Sequence, residues 1–288
     1  MRESAKSAMM AISAVAVAFT LLFNVVPTMG QTRTAYRAPR TPDGKPNLSG
    51  IWQAIGTAHL DIEVHVARPG PVIAFGALGS IPAGLGVVEG GPLPYQPWAL
   101  AKKKENEENW LTRDPVVKCF IPGIPRATYM PLPFQIVQSP QYVLFAYEFA
   151  FASRVANMNL KDEAPIDSWM GWSRGSWDGE TLVVDVTGLG EDSWFDSSGN
   201  FHSDALHVVE RYTATSPNTL LYEATIEDPK VFTRPWKMSM PLYRRVDKNM
   251  ELLDFDCVPF VEELMYGHLR KRDSDSPLKD YLSERPAK

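Results

Sequence analysis

The fold turns on one stretch: Trp169-Met170-Gly171-Trp172-Ser173-Arg174-Gly175-Ser176-Trp177-Asp178-Gly179-Glu180-Thr181-Leu182-Val183-Val184-Asp185-Val186. Two strand-like runs, Trp169 to Trp177 and Glu180 to Val186, flank Asp178-Gly179. Asp-Gly between β-prone runs is the strongest short-range hairpin signal. Alternation places Trp172, Arg174 and Ser176 on one face of the first run, and Thr181, Val183 and Asp185 on one face of the second.

Moving outward, the same pattern repeats. Residues 205–214 read as a strand, Ser216-Pro217-Asn218 as a turn, and Thr219 to Glu227 as its partner. Trp236 to Val246 and Glu251 to Phe255 flank a turn at Asp247-Lys248-Asn249. Toward the amino terminus, Tyr142 to Phe149 and Phe134 to Gln138 meet at Ser139-Pro140-Gln141, and Ser49 to Ile55 is the first strand. Short turns make antiparallel neighbours, and a meander of about nine strands closes or folds over on itself. The expected fold is mainly β, an antiparallel meander closing into a lipocalin-like barrel or bent sandwich with one or two peripheral helices. The helices are placed at Pro97 to about Leu111, with Trp98, Leu100, Ala101 and Trp110 as an apolar stripe, and at Pro259 to about Lys271. Lys102-Lys103-Lys104 against Glu105, Glu107 and Glu108 reads as a solvated, self-paired helix face.

Three segments flank this domain, 50–272, and one insertion lies within it. Residues 1–30 have the three parts of a secretory signal: basic Arg2 and Lys6, an apolar run, and small Thr28 and Gly30 before a cut at Gln31. Residues 31–49 form an extended arm and 273–288 a loose charged tail. Residues 66–97 are a Gly/Pro-rich insertion whose density of breakers forbids regular helix. Export predicts a periplasmic or secreted protein with no stable membrane span after cleavage. In an oxidising compartment Cys119 and Cys257 are expected to form one disulfide.

The chain of 288 residues is 44% hydrophobic and 22% charged with net charge −5, which excludes a disordered chain, a collagen, a coiled coil and a multi-span membrane protein. The acidic balance argues against nucleic acid as partner. The Gly84 to Gly91 region lacks the strand–glycine–helix context of a phosphate loop. Gly171-Trp172-Ser173-Arg174-Gly175 has the lettering of a hydrolase elbow, but an elbow needs a strand entering a helix, and here strand enters hairpin. No cofactor is assigned, and oligomeric state is not read.

Proton-transfer chemistry is most concentrated in His202-x-Asp204-x-x-His207-x-x-Glu210, where imidazoles near neutrality lie close to carboxylates that can orient them. A strand here puts His207, Val209 and Arg211 on one face and Leu206, Val208, Glu210 and Tyr212 on the other, with His202 and Asp204 at its mouth. The candidate catalytic set is His207, Asp204, His202 and Arg211, turned toward the barrel interior. The plainer alternative is a turn at His202 and Asp204 with His207 as a wall residue. The spacing matches no zinc pattern, so no metal is assigned. Candidate ligand-binding residues are Trp172, Arg174, Asp185 and Arg154, with Arg174 and Asp185 either holding a polar group or pairing with each other. Eight tryptophans suit a flat or apolar ligand, or fill a β core.

Several stretches resemble a family of exported, largely uncharacterised Gram-negative bacterial proteins. They are Pro42-Asp43-Gly44-Lys45-Pro46-Asn47-Leu48-Ser49-Gly50-Ile51-Trp52, Cys119-Phe120-Ile121-Pro122-Gly123-Ile124-Pro125-Arg126, Pro133 to Gln138, Trp169-Met170-Gly171 through Trp177 to Asp185, His202 to Arg211, and Thr225-Ile226-Glu227-Asp228-Pro229. Proteins of that kind often look like Gly-His-Ser at Gly171-Trp172-Ser173 and Cys-His-Glu at Cys257-Val258-Pro259. The resemblance implies export but no activity. The residues point to a barrel that binds a small organic ligand (apolar, aromatic or saccharide), with cofactor-independent lyase, isomerase or hydrolase chemistry as the catalytic version. A non-catalytic carrier and an envelope interaction protein are the alternatives.

Overall fold

The computed structural model describes residues 36–70, 77 and 80–266. The expected signal 1–30, the start of the expected arm, the remainder of 71–79, the end of the expected second helix and the expected tail 273–288 lie outside the described residues. Nine strands close a barrel in sequence order: β1 (Gly50–Ala54), β2 (Phe134–Gln138), β3 (Tyr142–Tyr147), β4 (Ser153–Asn157), β5 (Trp172–Asp178), β6 (Thr181–Thr187), β7 (His207–Ser216), β8 (Thr219–Glu227) and β9 (Trp236–Arg244). β9 returns antiparallel onto β1, with Trp52 opposite Arg244 and Ala54 opposite Leu242. All other neighbours are antiparallel except β4 and β5, which run parallel. A parallel neighbour needs a crossover of a dozen or so residues, and residues 158–171 supply it. This seam is thin: only Ala156–Ser173 and Asn157–Arg174 are in register.

The meander is the one the sequence predicts, with two changes. Ser153–Asn157 forms a strand of its own, and Glu251 to Phe255 does not. Once β1 covers β9 no free edge remains, so 251–255 crosses the loop after β3 instead. There the Leu253 N–H donates to Glu148 Oε2 (2.9 Å) and Phe255 packs on Phe149.

Three helical pieces lie outside the wall: α1 (Pro97–Glu108), α2 (Trp110–Arg113) and α3 (Val261–Tyr266). The expected stripe on α1 is corrected. Trp98, Leu100 and Ala101 are exposed, and the helix buries Ala99 and Asn106 instead. Its inner face is made of small and polar groups because Gly199 packs directly on its backbone; a Cβ there would lie 2.6 Å from Glu107 N and Lys103 O. Of the lysine run, Lys103 pairs with Glu107 (2.8 Å) and Lys102 lies over the Phe201 ring.

The barrel has two unlike ends. One carries the tight turns at 139–141, 179–180 and 217–218, and the arm crosses it, burying Leu48 and pairing Arg40 with Glu180. The other carries the connections 55–133, 188–206 and 228–235, and the crossover 158–171 runs between the two ends. Between them the lumen is filled by inward side chains such as Trp52, Phe134, Phe145, Val184, Tyr212 and Tyr222, all buried. These side chains belong to one apolar core that occupies the barrel interior.

Cys119 and Cys257 form the disulfide, with Cα atoms 5.7 Å apart and a sequence separation of 138. It ties the segment beyond β9 to the turn before β2. Replacing both cysteines by alanine is expected to lower stability by about 2–4 kcal/mol in urea melts, from restored freedom of the unfolded chain.

Candidate functional site

Alternation along β7 sorts the candidate residues. Val208, Glu210 and Tyr212 are buried on the inner face, and His207, Val209 and Arg211 face outward. His207 and Arg211 therefore lie on the outer wall, not in the interior. On that wall Arg174 Nη2 donates to Asp185 Oδ1 (2.6 Å), and His207 Nε2 meets Asp185 Oδ2 (3.1 Å). His207 Nδ1 is 3.8 Å from Glu227, and Arg211 pairs with Asp178 at 2.8 Å. Arg174 and Asp185 thus pair with each other, and His207 joins them. Burial raises the Asp185 carboxyl, but the hydrogen bonds from Arg174 and His207 outweigh it and hold the group below the ordinary range.

His202 and Asp204 are separated from this row. Asp204 is at the surface with Lys230 (2.6 Å). His202 is buried, its Nδ1 2.9 Å from the Ser203 carbonyl and its Nε2 2.8 Å from Ser193 Oγ. A carbonyl only accepts, so Nδ1 carries the proton and the Ser193 hydroxyl donates to Nε2. Burial lowers the His202 pKa, which keeps the ring neutral. The four residues expected to act together are not assembled into one site.

The inner face holds the charges that the hairpin reading only touched. Arg154 of β4 crosses the lumen to Glu210 of β7, with Nη1 to Oε2 at 2.5 Å and both side chains buried. Arg154 Nε donates to Tyr147 Oη (3.1 Å), Nη2 to Tyr212 Oη (3.1 Å) and Nη1 to Ser173 Oγ (3.4 Å). The Tyr212 and Tyr222 hydroxyls donate to Glu210 Oε1 at 3.0 and 2.8 Å. Burial alone would lower the Arg154 pKa; Glu210 and the phenols more than offset it, so the guanidinium stays charged. Burial, then Glu210, pushes the Tyr212 and Tyr222 phenols well above their ordinary range.

Arg154 also reaches the wall of a cleft of about 450 Å³ at the β4–β5 seam. Tyr142, Val155, Leu160, Met170 and Trp172 give the cleft its apolar and aromatic walls, and Ser153, Asn157, Ser168 and Ser173 its polar groups. The Trp172 indole Nε1 is buried with no hydrogen-bond partner among the described residues. Two of the four expected ligand-binding residues, Arg154 and Trp172, therefore meet here, while Arg174 and Asp185 lie outside the cleft lining. Ser173 is held by Arg154 in mid-strand, not at an elbow.

A second polar cluster, at the long-loop end, escaped the sequence reading. Arg126 is fully buried and forks onto Asp114, Nη1 to Oδ1 at 2.7 Å and Nη2 to Oδ2 at 2.8 Å, with Ser197 bridging. Asp196 accepts from Ile62 N, Ser198 N, Asn200 N and Asn200 Nδ2. Burial, helped by the nearby Asp61, pushes its carboxyl up to about 7 against those donors. The signal was present in Asp196-Ser197-Ser198-Gly199-Asn200, a run of short polar side chains in a long connection, a composition suited to binding backbone groups.

No group of His, Cys, Asp and Glu side chains among the described residues is arranged to hold a metal ion. No family model matches the chain, and no curated protein is similar to it.

Two outcomes follow from the buried charges. Arg154→Met alone leaves Glu210 uncompensated and is expected to cost about 3–5 kcal/mol, whereas Arg154→Met with Glu210→Leu recovers most of it in a urea double-mutant cycle. A double-variant loss equal to the sum of the two single losses would show that the pair is not coupled. His59, lowered from 6.5 to about 4 by burial and by the Arg126 charge, stays neutral in the fold while the unfolded chain protonates. Stability therefore falls as pH drops through that window, and His59→Gln is expected to lose about 2 kcal/mol less than the parent between pH 7 and 4.5.

Proposed function

We propose that the protein is an exported β-barrel that binds a small organic ligand, with an aromatic or sugar ring and a polar edge, in the cleft at the β4–β5 seam. The observation that carries this reading is a permanently charged, buried guanidinium reaching the wall of an aromatic-lined cleft where the backbone ladder is broken. Ligand sites combine mostly apolar walls with a few placed polar groups in a volume of roughly 300–1,000 Å³, and this cleft has both. Tyr142 and Trp172 supply faces for a ring, and the four polar side chains beside them orient its edge.

Binding is favoured over turnover. None of His202, Asp204, His207 and Arg211 lines the cleft, and Arg154 keeps its proton near neutrality. The histidine-based lyase, isomerase or hydrolase reading thus loses its acid–base pair at the point where a ligand would sit. The place of action we infer is the periplasm or the medium. That rests on the three-part start of the chain, the family resemblance and the Cys119–Cys257 bond. No helix among the described residues is long and apolar enough to cross a membrane.

Native mass spectrometry of protein purified gently from the periplasm should show a retained organic mass. Titration calorimetry with a panel of aromatic carboxylates and monosaccharides should then reproduce the binding. Tyr142→Ala, at an exposed position, and Trp172→Ala are each expected to weaken the best probe by roughly tenfold. Absence of heat with every probe, or unchanged affinity in both variants, overturns the assignment of this cleft.

A further inference from the structure

β9 changes neighbours along one edge. Its carboxy-terminal half pairs with β1 as far as Ala54–Leu242. Its amino-terminal half is covered by the insertion, where Glu89 N donates to Lys237 O and Ser239 N to Val87 O, both at 2.9 Å. Met240 and Pro241 lie between the two, and Pro241 has no N–H to leave unpaired at such a gap. The notch opens into a cleft of about 410 Å³ lined by residues of β1, β9, the 55–58 loop and residues 83–87.

Here the insertion is a two-stranded ribbon. His65 and Gly84 exchange both backbone hydrogen bonds (3.0 Å each), as do Arg68 and Ile81 (3.0 and 2.8 Å). That register sets Val64 opposite Leu85 on one face, and Val66 follows two residues on. They are 77%, 93% and 80% exposed, and Ile55 across the cleft mouth is 73% exposed. Leu85 and Ile55 also line the cleft, so an aliphatic track runs from the ribbon into the notch.

The lining has no charged side chain. Its polar side chains are the hydroxyl-bearing Thr57, Ser239 and Tyr129, and the Tyr129 hydroxyl already donates to the Phe195 carbonyl (2.8 Å). Tyr129 is also its only aromatic ring, so the cleft has no paired faces on which a planar ligand could stack. Glycine, alanine and aliphatic side chains make a narrow apolar slot instead. We propose that the β1–β9 notch takes the alkyl chain of a fatty acyl ligand, and that the Val64–Leu85 face is its entry track. This site is separate from the β4–β5 cleft in place and in chemistry.

The test uses the whole mature protein and dansyl-undecanoic acid as fluorescent probe, displaced by octanoic, decanoic and dodecanoic acids below their micellar concentrations. Affinity is expected to rise by up to about fourfold per added methylene until the slot is full. Leu85→Asp and Ile55→Asp, both at exposed positions that the fold tolerates, are expected to weaken dodecanoate at least tenfold, while Trp172→Ala leaves it unchanged. Flat affinity with chain length, no probe binding, or full binding in both aspartate variants overturns the proposal. Capture of phosphatidylcholine vesicles without any binding of monomeric dodecanoate also overturns it, and assigns the ribbon to a membrane surface instead.

Discussion

A closed ring of strands that alternate in direction can hold an odd number only if one neighbouring pair runs parallel. This barrel has nine strands, and the parallel pair is β4–β5. The requirement governs much of what surrounds it. The chain must travel the length of the wall between β4 and β5, which is why 158–171 is long while the hairpins on either side are tight. The crossover leaves the first residues of β4 with no partner on β5, and the cleft forms beside that gap. Neither the long connection nor the cleft is an ornament of the loops; both are geometric consequences of closure.

A seam of two residue pairs is a weak place in a wall, and the lumen is built to span it. Arg154 of β4 reaches Glu210 of β7, and the same guanidinium bonds to Tyr147 of β3, Tyr212 of β7 and Ser173 of β5. Tyr222 of β8 completes the carboxylate's partners. Side chains from five strands thus converge on one ion pair and hold the two sides of the seam together where the backbone ladder does not. A buried pair of this kind contributes little net stability against an apolar core of equal volume. Its value here is directional: the guanidinium donates to, and the carboxylate accepts from, side chains of fixed strands. The arginine of this pair also lines the cleft, so structural closure and the proposed binding chemistry share an atom group.

The fold was legible because its signals are local. Asp178-Gly179, Ser216-Pro217-Asn218 and period-two alternation each act over a few residues, and the barrel is their sum. The false strand at 251–255 has the right composition but no free edge to join, which no local pattern can reveal. The faces of β7 were read correctly, with His207 opposite Glu210, but which face points inward is a property of the closed sheet. Chemical attention went to the histidines, while the barrel buried the carboxylate. Arg154 and Trp172 were named singly, and they come together only across a parallel seam, a long-range pairing that turn chemistry does not encode. The polar hub on Arg126 and Asp196 was missed for a related reason: its partners, from residue 59 to residue 200, are distant in sequence.

Several of the Gly-, Pro- and Trp-bearing stretches have structural duties in the barrel. Gly50 lacks a side chain because the Arg244 guanidinium occupies the space where a Cβ would be; that guanidinium lies over the Trp52 ring and donates to the Ser49 carbonyl. Residues Ser49 to Trp52 therefore lock β1 to the end of β9 and close the ring. Trp177 to Asp185 makes the central hairpin, and Pro125-Arg126 delivers the buried fork onto Asp114. Met170, Trp172 and Ser173, which precede or open that hairpin's first strand, also line the β4–β5 cleft. Two of the clefts open where the ladder changes partner. The wall does so at the β4–β5 seam and at the notch where β9 passes from β1 to the insertion. One opening is aromatic and charged, the other aliphatic and neutral, and that difference follows from what borders each: β4 with its arginine and its crossover, or a glycine-rich ribbon from which carboxylates are absent between Val64 and Val88.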